Sequence, residues 1–136
     1  MREQRPEAVS GPIVVCIDTY ENEVPSGCFY HANLEQGAKF SGLIPLLKGL
    51  EEMMNCVRSP QNFMALRSFE EKETQEPLFS AMEPCHGTRA TFVVNVLFRQ
   101  NASWQGKLTW LEGEREEAFR SVLELLFLMD NALKTA

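Results

Sequence analysis

Residues Phe92 to Leu133 read FVVNVLFRQNASWQGKLTWLEGEREEAFRSVLELLFLMDNAL, and the reading of this stretch decides the fold. Its first part alternates. Phe92, Val94, Val96 and Phe98 fall on one side and Val93, Asn95, Leu97 and Arg99 on the other, the period-two pattern of a strand with one drier face. Gln100 to Gly106, rich in turn formers, reads as a hairpin connection, and Lys107 to Leu111 as the return strand. After a second polar turn containing Gly113 the chain reaches Phe119. A helix follows, with Val122, Leu125, Leu126, Met129, Ala132 and Leu133 on one face. The stretch reads ββα.

Working outward, a shift of 79 positions lays Ile13 to Met54 on this stretch without a gap. Val14, Val15, Asn22, Gly27, Glu35, Phe40, Leu46 and Leu47 meet identical residues, eight identities in 42 positions. The facing agrees as well as the spacing: Ile13, Val15 and Ile17 share the parity of Phe92, Val94 and Val96, and a one-residue slip would invert every side chain. The expected fold is therefore α+β, one domain over residues 1–136. A duplicated ββα unit, at 12–57 and 90–135, gives an antiparallel, four-stranded sheet with two helices packed on one face. The expected inward set is Ile13, Val15, Ile17, Phe29, Leu46, Leu47 and Leu50, with their counterparts Phe92, Val94, Val96, Leu108, Leu125, Leu126 and Met129.

The rest of the chain frames these units. Met1 to Ser10 is polar and reads as a loose leader. The connection at 58–89 contains Pro60, Pro77 and Pro84 and the acidic run FEEKETQEP, Phe69 to Pro77, which suggests mobility or a short helix through Pro77 to Met82.

Charge and composition narrow the function. A net charge of −6 opposes binding to phosphate backbones, so no nucleic-acid partner is expected. The most apolar window, Val122 to Met129, is far short of the roughly 20 residues that cross a bilayer, and the charged N-terminus does not read as a signal peptide. No membrane partner is expected, and the four scattered cysteines suit a reducing cytosol. The expected location is cytoplasmic.

Candidate chemistry is sparse. Cys28, His31, Cys56, Cys85 and His86 are zinc ligands in kind, but Cys28 and His31 stand on opposite faces of a strand, so no metal is expected. Cys85 beside His86 is the one thiol and imidazole arrangement that could serve a nucleophile. Glu51 with Glu52, Glu70 with Glu71 and Glu116 with Glu117 read as solvated faces rather than acid–base pairs. No catalytic residue and no cofactor is expected.

Two weaker signals point to binding. Asn22 and Asn101, with His31 and Ser103, could converge on a small ligand such as a nucleotide, for binding or catalysis in the groove between the two units. Trp104 in a turn, and Phe127 with Leu128 where the first helix has Lys48 and Gly49, widen the apolar surface of the second unit. They suggest an interface with another protein or with a second copy of the chain, as a homodimer.

Two resemblances go with these residues. Asn101, Ser103 and Gly106 form an N-x-S-x-x-G pattern that resembles part of the cyclic-dinucleotide motif of PilZ domains, although the upstream R-x-x-x-R arm of that family is missing. The segments FRQNASWQG and FRSVLELLFLMD resemble the C-terminal part of a set of short uncharacterised bacterial proteins. That second resemblance implies a bacterial, cytosolic setting and assigns no site.

Overall fold

Asn22 and Glu23 both have positive φ, 54° and 62°, as a two-residue primed turn requires, and the twist of such a turn matches that of a β-ribbon. They join strand β1 (Ile13–Glu21) to β2 (Val24–His31). The computed structural model describes residues 11–58, 79–84, 86–100 and 103–135, without the side chains of 56–58 and 100. Within it follow β3 (Gln36–Ser41), helix α1 (Leu43–Arg58), β4 (Ser80–Ala81), β5 (Ala90–Gln100), β6 (Ser103–Trp110), β7 (Arg115–Phe119) and helix α2 (Val122–Thr135).

The strands form one seven-stranded sheet in the order β4-β3-β2-β1-β5-β6-β7, with every neighbouring pair antiparallel. This overturns the expectation of a four-stranded sheet built from ββα units. Each half has a third strand before its helix, β3 or β7, and β4 adds a seventh. Gln36–Ser41 reads QGAKFS and Arg115–Phe119 reads REEAF; both are short, charged and almost without apolar alternation, so pattern alone assigned them to turns. The short helix suggested through Met82 is also corrected, because Ser80–Ala81 is strand. The leader, the acidic run, Cys85 and Asn101 lie outside the described residues.

The glycines read as the ends of hairpin loops lie inside strands. The β1–β2 and β5–β6 ribbons continue past them, and their registers shift between Ile17 and Thr19 and between Val96 and Phe98, β-bulges 79 residues apart. Gly27 and Gly106 sit opposite these bulges. A Cβ there would lie 1.9 Å from the Cys16 carbonyl oxygen and 2.0 Å from that of Asn95, so only glycine fits without backbone movement. The same offset recurs in the next turn, where Glu35 and Glu114 take left-handed backbones, φ 56° and 54°.

Both helices bury their stripes on one face of the sheet. The core joins Ile13, Val15, Ile17, Phe29 and Phe40 of the first half to Phe92, Val94, Val96, Leu108 and Phe119 of the second, under Leu46, Leu50, Met53 and Met54 of α1 and Leu125, Met129 and Leu133 of α2. The expected inward set is found there, with Leu47 and Leu126 half-buried at its margin. A smaller cluster of Val14, Cys16 and Tyr30 lies on the opposite face, with Cys28, Met82 and Val93 packed against it. Ser121 caps α2 by accepting from the Glu124 N–H at 3.2 Å, while Glu124 accepts from the Arg120 N–H at 2.8 Å, which satisfies two N-terminal donors. Hydrogen bonding to Arg120 holds the Glu124 carboxyl below its ordinary range. No described helix is long and apolar enough to cross a membrane.

Candidate functional site

Each ribbon overhangs the sheet and reaches a helix of the other half. Tyr20 of β1 donates its hydroxyl to Asp130 of α2, and Lys134 of α2 bonds Glu23 of the first turn at 2.7 Å. On the other side Arg99 of β5 meets Glu51 at 3.1 Å and Asn55 at 3.0 Å on α1, while the Trp104 indole donates to Glu51 at 3.1 Å. The chain thus clasps itself twice. Burial, and then the bond to Asp130, push the Tyr20 hydroxyl up to about 12.

The first clasp forms one end of a groove of about 270 Å³. Tyr20, Glu23 and Pro25 of the first ribbon and Leu43 of α1 face Leu123, Leu126, Phe127 and Asp130 of α2 across it. This groove joins the halves, as the ligand reading required, but its walls are mainly apolar. Its carboxylates are engaged within the chain, Asp130 by Tyr20 and by Lys134 at 3.5 Å, and Glu23 by Lys134. Such a site suits burial of apolar surface better than proton transfer.

The residues singled out from sequence are not brought together. Asn22 is exposed at the turn tip, and Ser103 opens β6 in the other half. His31 is 2% exposed on the helix-covered face, where its Nδ1 accepts from the N–H groups of Asn33 and Leu34 at 3.2 and 3.3 Å. Its observed contacts hold the β2–β3 turn. Cys28 leaves the opposite face, and no group of three or more potential metal ligands occurs among the described residues.

The interface residues separate in the same way. Trp104 is 5% exposed and belongs to the chain's own core, so its indole offers little surface to a partner. Leu128 is half-buried against that core. Phe127 is 62% exposed and Leu123, which sequence reasoning passed over, is 58% exposed one helical turn earlier. The signal for Leu123 was available: it stands four residues before Phe127, off the inward stripe.

A second groove, of about 130 Å³, runs between β7 and α2, lined by Phe92, Leu108, Trp110, Arg115, Glu117 and Leu128 among others. The Trp110 indole N–H is buried without an acceptor among the described residues. Compared with known protein families, curated proteins and solved structures, the chain has no match.

Proposed function

We propose that this chain is a non-enzymatic binding and assembly module of the bacterial cytosol, acting through protein contacts that include a second copy of itself. The observation that carries the reading is the outer face of α2. There Leu123 and Phe127 stand well exposed beside an apolar groove, while the equivalent position to Phe127 on α1 is Lys48. Contiguous apolar surface rimmed by polar groups is the usual mark of a protein interface.

The rim favours a copy of the same chain. Arg120 pairs with Glu124 at 2.7 Å and Lys134 with Glu23 at 2.7 Å, so the charges beside the apolar residues are of mixed sign. Two such faces related by a two-fold axis can meet without the repulsion that a net charge of −6 would otherwise bring.

Light scattering across a dilution series tests the proposal, with the wild type and Phe127→Asp side by side. The wild type is expected to give twice the 15.5 kDa chain mass at high concentration, and the variant one chain mass throughout. A wild type that stays monomeric at every concentration contradicts self-association.

A further inference from the structure

The two edges of the sheet are framed alike and finished differently. At the first edge β4 covers β3, pairing Ala81 with Gln36 and Ser80 with Gly37, while the Met82 N–H donates to the Glu35 carbonyl at 2.9 Å. Phe79, just before β4, sets its ring edge-on against Phe29, centroids 6.1 Å apart, and Met82 packs on the opposite face. At the second edge, 79 residues on, Glu114 stands for Glu35, Arg115 for Gln36, Glu116 for Gly37 and Leu108 for Phe29. Among the described residues no strand covers β7. Over Leu108, where the first half has Phe79 over Phe29, lies the 130 Å³ groove.

We propose that β7 is a strand-addition site for another protein, which lays an extended segment antiparallel to β7 and inserts one aromatic side chain into this groove. The chain's own Phe79–Met82 segment is the template for the occupant: an aromatic residue, two small residues in the ladder, then an apolar residue for the opposite face. The groove is of the right size, since a protein cavity of about 150 Å³ accepts benzene. Alternation along the ladder turns the backbone groups of Glu116 and Ala118 away from β6 and toward an incoming strand.

Charge sets the flanks of the segment. Glu114, Glu116 and Glu117 crowd this edge against Arg115, and Glu116 and Glu117 are more than half exposed. A partner segment carrying lysine or arginine beside its aromatic residue complements them, whereas a second copy of REEAF would set glutamates against glutamates. The surface is separate from the outer face of α2, so this inference does not depend on self-association.

The test is an amide NMR titration of the full chain with the synthetic peptide Lys-Phe-Ser-Ala-Met-Lys and with its counterpart in which alanine replaces phenylalanine. Expected are saturable shifts in Arg115–Phe119 and at Leu108 and Leu128, with the alanine peptide at least tenfold weaker. Ala118→Pro, which removes an outward N–H at an edge where proline is tolerated, is expected to abolish binding with the unfolding midpoint unchanged. If that variant does not fold, Glu117→Lys carries the test, with at least tenfold weaker binding expected. Absence of saturable shifts at β7, equal binding of the two peptides, shifts confined to Leu123 and Phe127, or unchanged binding by the folded variants overturns the proposal.

Discussion

The two halves of this chain share a frame, and their differences lie where side chains leave it. Both have a bulged ribbon, a left-handed glutamate in the following turn, a third strand and a helix on the same face. One clasp, however, is polar, with Tyr20 and Asp130 half-buried and Glu23 and Lys134 exposed, while the other is anchored by the buried Trp104. One helix presents Lys48 to solvent and the other Phe127. The comparison teaches that glycines, turns and inward apolar residues hold the fold, while the outward positions are open to carry contacts.

The comparison breaks first at the bulges. Gly27→Val and Gly106→Val each force a Cβ into a carbonyl oxygen less than 2.1 Å away, and each is expected to cost about 4 kcal/mol in chemical denaturation, at the severe end for single substitutions. A large cost at one site and none at the other would show that the two bulges do not hold the halves in the same way. The clasps come next. Trp104→Ala is expected to lose about 3 kcal/mol, since it empties part of the core and leaves Glu51 with Arg99 as its remaining described partner, whereas Tyr20→Phe loses only a hydrogen bond of about 1 kcal/mol. Comparable losses at the two positions would contradict the assignment of the weight to the second clasp.

A smaller effect sharpens the first clasp. Because the folded Tyr20 hydroxyl is raised to about 12 from an unfolded value of about 10, its contribution is complete below pH 10 and disappears as pH rises toward 12. Alkaline titration of unfolding should show this loss in the wild type and lack it in Tyr20→Phe. Smallest of all is Phe127→Asp, expected to change monomer stability by no more than about 0.5 kcal/mol, because the side chain is 62% exposed. A loss above about 2 kcal/mol would place Phe127 in the core.

Much of the core was legible in the sequence. Period-two alternation placed Ile13, Val15, Ile17, Phe92, Val94 and Val96 on the buried face, and helical spacing placed Leu46, Leu50, Leu125 and Met129 over them. The third strands were not legible. In β7 four of five residues are exposed, and an edge strand needs little apolar content to join a ladder already formed. The ribbons were misread at the glycines for a related reason, since a glycine opposite a bulge and a glycine in a turn look alike without the partner strand. Among the residues singled out, the exposure of Phe127 could be read from its place off the buried stripe. Trp104 could not, because the turn in which it was placed is strand, packed on a helix about fifty residues earlier in the chain.

The most direct test of the account is residue-resolved: amide NMR shifts of the wild type followed across dilution from millimolar to micromolar concentration. Concentration-dependent shifts are expected, centred on Leu123, Phe127 and the adjoining groove at Leu43 and Pro25, with β7 unchanged. Spectra that stay the same at every concentration, or shifts centred on β7, would contradict self-association through the outer face of α2.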